Sequence, residues 1–317
     1  MIRTQNLTRR FTLKKETVEA VRGIDVDVQP GELVAFLGPN GAGKSTTLRM
    51  LTTLLPPSAG TAEVAGFDVV RDPVEVRRRI GHIGQGNGSL DGLRMNEELT
   101  IQGRFHGLDR TTARARAAEL LDRLDLSEQA DRDVARLSGG QRRRLDVAMG
   151  LIHRPRLVFL DEPSAGLDPH SRANLLEHIR RLHRDDEVTI VLTTHYLDEA
   201  DAVAERVVVI DNGRIIADGT PDQLKSKVSG DLVTVALAEN DDSGAARDVA
   251  SRVPTAHDVE AGDSRLSFRV ENGDAVLPDV VRALDSAGIT LRSAQVKRPT
   301  LDDVFLTLTG RSLRDDD

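Results

Sequence analysis

The sequence predicts an α/β protein built on a mostly parallel sheet, followed by a smaller α+β module. Three observations predict it. Leu33-Val34-Ala35-Phe36-Leu37 is an unbroken apolar run of the kind buried on both faces of a parallel sheet. That run and two later ones, near 157–160 and 188–193, are each followed by a helical pattern, and strands alternating with helices argue α/β. After residue 230 the order changes to strand, helix, two strands, helix, strand, helix.

Taken in order, residues 1–30 read as short strands, and Ile24-Asp25-Val26-Asp27-Val28 alternates as a half-buried strand should. Pro30-Gly31 marks a turn before the 33–37 run. A glycine-rich loop leads into a helix from Lys44 to about Leu55, ended by Pro56-Pro57. Residues 93–150 are rich in Arg, Ala, Glu and Leu. Within them 111–126 is expected to be helical, with Ala118, Leu121, Leu124 and Leu126 on or near one face. Two β-then-α units follow, with helices near 170–184 and 197–203. Residues 207–210 read as another buried strand, and Asp211-Asn212-Gly213-Arg214 as a hairpin turn. A connector over 221–230 leads to strand 232–238, helix 244–252, strands 257–260 and 265–270, helix 275–287, strand 289–296 and helix 300–309. Thr300-Leu301-Asp302-Asp303 has the spacing of a capping box with Asp in the acidic place. The module resembles a ferredoxin-like fold, and its DDD end is expected to fray.

Composition narrows the function. The 317 residues fit two domains. No apolar run approaches the roughly 18 residues that span a bilayer, and MIRTQNLTRRF lacks the apolar core of a secretory signal. The absence of cysteine excludes disulfides, thiolate metal sites and a cysteine nucleophile. The net charge is -8, and nearly all of it lies C-terminal: residues 1–230 carry 34 acidic against 33 basic side chains, and 231–317 carry 17 against 10. That balance speaks against nucleic acid as a partner.

Gly38-Pro39-Asn40-Gly41-Ala42-Gly43-Lys44-Ser45-Thr46 matches G-x4-G-K-[ST]. Glycines let successive backbone N–H groups turn inward around phosphate oxygens. Lys44 would pair with the β- and γ-phosphates, the Ser45 hydroxyl would ligate magnesium, and the helix N-terminus beneath would add partial positive charge. Leu157-Val158-Phe159-Leu160-Asp161-Glu162 is an apolar strand ending in two carboxylates. Asp161 is placed to reach the magnesium shell, and Glu162 to hold an attacking water as general base. Leu137-Ser138-Gly139-Gly140-Gln141 opens an Arg-rich helical stretch 20 residues before Asp161, a second glycine-led helix N-terminus. One domain cannot easily aim both ends at one γ-phosphate. Two copies arranged head to tail can.

These elements together resemble the nucleotide-binding subunit of ATP-binding cassette (ABC) transporters, over roughly residues 1–225. GPNGAGKST, Gln85 in HIGQG, LSGGQ, LVFLDE, SAGLD and His195 in LTTHY stand in that family's order. The resemblance implies a P-loop NTPase cassette: a RecA-like core, an antiparallel β subdomain, a helical subdomain at about 86–150, and here an accessory α+β domain at 231–311. It implies ATP and Mg²⁺, with Ser45, Gln85 and Asp161 at the metal. Lys44, Glu162 and His195 would serve hydrolysis. Phe11, in TRRF, stands where the family stacks an aromatic on adenine, and an aromatic there serves equally well as core. Asp168 would reach across a dimer, and Ser138, Gly139, Gly140 and Gln141 would clamp the nucleotide held by the other copy.

The ending VKRPTLDDVFLTLTGR at 296–311 resembles the C-terminus of daunorubicin-resistance-type drug-export ATPases. The resemblance implies a homodimer on the cytoplasmic face of a bacterial membrane, driving efflux of drugs or lipophilic compounds through a separate integral permease. The segment 86–106 would face that permease. A polysaccharide or lipid exporter, an importer, and a soluble non-transport ABC ATPase are the competing readings.

Overall fold

The computed structural model describes residues 1–13, 16–86, 88–226, 230–238 and 243–310. The expected fraying of the C-terminal DDD lies outside the described residues. The chain divides into two compact units, Met1–Pro221 and a second from Asp222 onward.

The first unit holds two sheets. The larger runs Arg214–Gly219, Arg206–Asp211, Leu33–Leu37, Thr189–Thr194, Leu157–Asp161, Ile80–Ile83, and is parallel except for the first hairpin. Every residue of Leu33–Leu37, Leu157–Asp161 and Thr189–Thr194 is buried, as the unbroken apolar runs require. The smaller sheet is antiparallel, in the order Glu16–Ile24, Ile2–Leu13, Ala59–Val64, Phe67–Asp68, with Asp27–Val28 pairing on Ile2–Leu13. Ile2, Val21, Phe36, Leu48, Phe159 and Val208 belong to one buried cluster joining the two sheets. Burying each such side chain contributes about 1.5–3 kcal/mol, which fixes one sheet against the other.

Three local expectations are corrected here. Residues 24–28 keep their alternating burial but not a continuous ladder. The Thr4 hydroxyl takes the Val26 N–H at 2.8 Å, and Asp25 turns its carboxylate to the Asn6 N–H at 2.6 Å. The helix after the glycine-rich loop ends at Leu51, before the prolines. The Thr52 hydroxyl bonds back to Leu48 O at 2.9 Å, and Thr53 adopts the left-handed region at φ 65°, while Leu54 N and Leu55 N close on Arg49 O. In helix Arg110–Arg123 the buried stripe is Ala113, Ala117, Leu120 and Leu121; Ala118 is exposed because it lies beside that stripe. Helices Met95–Phe105 and Gly139–Leu151 accompany it.

The second unit has a four-stranded antiparallel sheet in the order His257–Gly262, Arg265–Val270, Asp231–Leu237, Leu291–Lys297. With helices Ser243–Ser251 and Gly273–Ser286 this is the split βαβ order of a ferredoxin-like module. Val233, Val235, Phe268, Val280 and Leu284 form its core. The connector contains a short helix, Pro221–Lys225, because Leu224 is buried rather than solvated. The Thr300 capping box forms, with Asp303 closing it onto Thr300 N at 2.8 Å.

Candidate active site

The glycine-rich loop leaves strand Leu33–Leu37 and enters helix Lys44–Leu51. Two glycines are there for contact reasons. A Cβ on Gly38 would sit 2.0 Å from Ile210 O, and one on Gly43, at φ 103°, would sit 2.4 Å from Ala20 O. The predicted 211–214 hairpin supports the loop from outside: Asn212 and Gly213 both have positive φ, and Gly213 N donates to Ala42 O at 2.9 Å. The Lys44 ammonium is buried and donates to Gly38 O at 2.7 Å and Pro39 O at 2.9 Å. Its Nζ is 3.8 Å from Glu162 Oε1. Burial pulls the lysine pKa down, against the pull of Glu162 and Asp161.

Strand Thr189–Thr194 lies between the phosphate-loop strand and the acidic strand, so all three end on the same carboxyl edge. Ser45 Oγ donates to Asp161 Oδ1 at 2.8 Å, and Gln85 Nε2 donates to Ser45 Oγ at 3.1 Å. These oxygens, with the Gln85 amide turned over, form a small hard donor set. That suits magnesium, which is commonly held through one or two carboxylates and completes its octahedral shell with neutral oxygens, water and phosphate. Among the described residues no larger cluster of metal-binding side chains occurs. Glu162 has a left-handed backbone, φ 45°, and its N–H is held by both Thr193 O and Thr193 Oγ1, at 3.2 and 2.9 Å. Its Oε2 is 3.6 Å from His195 Nδ1, a buried atom with no hydrogen-bond partner among the described residues. Lys44, Ser45, Gln85, Asp161, Glu162 and His195 thus converge.

Phe11, Ser138, Gly139, Gly140, Gln141 and Asp168 make no hydrogen bond to this cluster among the described residues. Ser138 caps helix Gly139–Leu151 with Gln141 in a capping box, at 3.2 and 3.0 Å. Ser138 and Gly139 are exposed, and none of the hydrogen bonds of Ser138 or Gln141 among the described residues reaches 38–46. Asp168 caps the neighbouring helix Pro169–Asp186, accepting from His170 N and Ser171 N. The side chain of Ser171, then its amide, hold that carboxyl below the usual range. A Cβ on Gly140 would meet Ser171 Oγ at 2.8 Å, so the two helix starts touch. Phe11 is half-buried opposite Val18, with the Arg9 guanidinium 4.8 Å from its ring centre. Its hairpin partner strand carries the Ala20 carbonyl that abuts Gly43.

Three residues escaped sequence reasoning. The Thr193 hydroxyl donates to Asp161 Oδ1 at 2.7 Å. Glu199 is buried, accepts from Thr194 Oγ1 at 2.8 Å and from Ser164 Oγ, and faces Arg172 at 3.5 Å; burial pushes its carboxyl pKa up. Arg143 is buried beneath the end of strand Leu157–Asp161. No local signal marked Arg143: another run of three arginines on a helix, Arg77-Arg78-Arg79, is exposed throughout.

The sequence profile described as ABC transporter matches residues 21–165, and that of the ATP-binding protein DrrA1-3-like, C-terminal domain matches 219–309. The daunorubicin resistance ATP-binding protein DrrA3 of Streptomyces coeruleorubidus is 46% identical over 296 residues, 93% of either chain. The chain belongs to the ATP-binding proteins of ABC transporters. This ABC ATPase is also 33% identical to the linearmycin resistance ATP-binding protein LnrL of Bacillus subtilis (strain 168), covering 99% of this chain and 100% of that one. Among solved structures it is similar to the dimeric post-hydrolysis state of the ATP-binding cassette MJ0796 bound to ADP and Pi. The TM-score is 0.64 at 25% identity, over 69% of this chain and 98% of the other. The expected fold class, an ABC cassette with a C-terminal α+β domain, and the expected ATPase activity both hold for the family. Among the described residues no helix of the ABC ATPase is long and apolar enough to cross a membrane.

Proposed function

We propose that this ABC ATPase works as a head-to-tail homodimer on a separate membrane permease, at the cytoplasmic face of a bacterial membrane, and powers export of drug-like or lipophilic compounds. The drug-resistance names of its relatives and the matching C-terminal profile support that choice of cargo class. The observation that carries the reading is the division of the site. Lys44, Ser45, Gln85, Asp161, Glu162 and His195 converge, while the Ser138 helix start is exposed and makes no hydrogen bond to them among the described residues.

The triphosphate would lie along 38–46, with Lys44 turning from the Gly38 and Pro39 carbonyls to the β- and γ-phosphates. Ser45, Asp161 and Gln85 would hold magnesium, which when bound neutralises charge on the phosphate oxygens. Glu162 accepts a proton from water as the water oxygen bonds to the γ-phosphorus and the bond to ADP breaks. His195, 3.6 Å from Glu162, would touch the γ-phosphate and keep the carboxylate oriented. The second copy's Ser138, Gly139, Gly140 and Gln141 supply N–H groups to the γ-phosphate, and its Asp168 meets the phosphate loop. Phe11 stacks on adenine.

Glu162→Gln tests this reading. With ATP and magnesium the variant should bind nucleotide, hydrolyse it at least about 100-fold more slowly, and elute as a dimer in gel filtration. Parental turnover by Glu162→Gln, or ATP enclosed by a monomer, overturns the proposal.

A further inference from the structure

Helix Gly139–Leu151 begins with the sequence GGQRRR, and its middle arginine points inward. Arg143 is only 6% exposed. Its guanidinium is distributed over backbone carbonyls. Nε donates to Pro163 O at 2.6 Å, Nη1 to Gly84 O at 2.7 Å, and Nη2 to Asp161 O at 3.2 Å and Glu162 O at 3.4 Å. Asp146, one turn further along, stands 4.0 Å from Nη1 and balances the buried charge. The other Asp146 oxygen accepts from Gly88 N and Ser89 N at 3.2 and 3.1 Å.

The carbonyls belong to two segments. One is the end of the acidic strand, where Glu162 turns into a left-handed backbone that side chains rarely adopt. The other is the residue immediately before Gln85. Glu162 is therefore gripped from both sides, its N–H by Thr193 and its C=O by Arg143. The planar fork spreads its donors over three nitrogens and so spans four carbonyls on two segments, whereas an ammonium gathers its three donors on one nitrogen. Arg143 makes no hydrogen bond to residues 38–46 among the described residues, so it has no direct hold on the nucleotide loop.

We propose that Arg143 is a positioning residue for ATP hydrolysis: through the Glu162 and Gly84 carbonyls it sets the base and Gln85 in register with one another, without touching substrate. The proposal rests on Glu162 being the base and extends that assignment. It requires that loss of Arg143 act through Glu162.

The test uses the full chain, single-turnover hydrolysis of ATP with magnesium, and titration with a fluorescent ATP analogue. Arg143→Gln and Arg143→Lys should each lower the rate at least about 10-fold, with nucleotide affinity changed less than about threefold. The lysine variant keeps a cation opposite Asp146 and is the one read should the glutamine variant not fold. In a Glu162→Gln background, adding Arg143→Lys should lower the residual rate by no more than about twofold, because that residual no longer depends on the carboxylate. Losses that multiply in the double variant, or nucleotide affinity that falls in step with the rate, overturn the proposal while leaving the Glu162 assignment intact. Parental turnover by Glu162→Gln alone would remove the base assignment and this inference together.

Discussion

Replacing Thr193 by valine would isolate one hydroxyl in the middle of the site. Thr193 is fully buried, donates to Asp161 Oδ1 at 2.7 Å and accepts from Glu162 N at 2.9 Å. Valine suits the same strand and nearly the same volume, so no cavity opens and only the polar atom is lost. A hydrogen bond to a charged partner is worth about 1.5–3 kcal/mol. The second bond adds little, because Glu162 N keeps Thr193 O at 3.2 Å. Asp161 also keeps Ser45 Oγ at 2.8 Å, so the carboxylate is loosened rather than freed. If the whole loss falls on the transition state, kcat/KM for ATP drops by about 10–100-fold. The assay is steady-state hydrolysis over a magnesium series, with urea unfolding measured in parallel. We expect the drop in kcat/KM, a higher magnesium concentration for half-maximal rate, and about 1–2 kcal/mol lower stability. A folded Thr193→Val protein with kcat/KM within twofold of the parent refutes the view that this hydroxyl holds the metal-side carboxylate in place.

Two further outcomes follow from the geometry. Lys44→Ala removes the ammonium proposed to turn onto the β- and γ-phosphates and should weaken binding of the fluorescent ATP analogue by at least about 10-fold; an unchanged titration would contradict the loop assignment. His153 is half-buried, stacks on His106 at 3.9 Å, and contacts Ile80 O at 3.0 Å; burial, then the neighbouring His106, lower its pKa from 6.5 to about 4. A histidine depressed in the folded state contributes stability that is complete above pH 6.5 and is lost as pH falls through about 4. The ceiling is about 3 kcal/mol, and the ring's partial exposure lowers it. His153→Phe should therefore lose less stability than the parent between pH 7.5 and 4.5 in urea unfolding, and equal acid sensitivity of the two proteins would refute the assignment.

The buried strands were legible because a parallel sheet covered on both faces leaves an unbroken apolar run, as in Leu33–Leu37 and Thr189–Thr194. The glycine-rich loop was legible for a related reason: Gly38 and Gly43 stand where a Cβ would strike backbone. Strand order was not. Nothing local in 189–194 says that it inserts between the phosphate-loop strand and the acidic one, because pairing is set by packing between distant segments. Thr193, Glu199 and Arg143 were missed for the same reason. A threonine in an apolar run, a glutamate in a short acidic helix and one arginine of three look like ordinary solvated residues until the partner carbonyls and carboxylates are in place. Residues 24–28 show the opposite failure: the alternation was right about burial and silent about Thr4, which interrupts the ladder.

Gly140 has a consequence beyond its own turn. With no side chain there, the start of helix Gly139–Leu151 sits flush on Ser171, so the amides at 138–141 and the carboxylate of Asp168 form one tile rather than two independent tips. A visitor that engages one of them is presented with the other at the same instant. In the proposed dimer, a second copy would therefore meet both helix starts together.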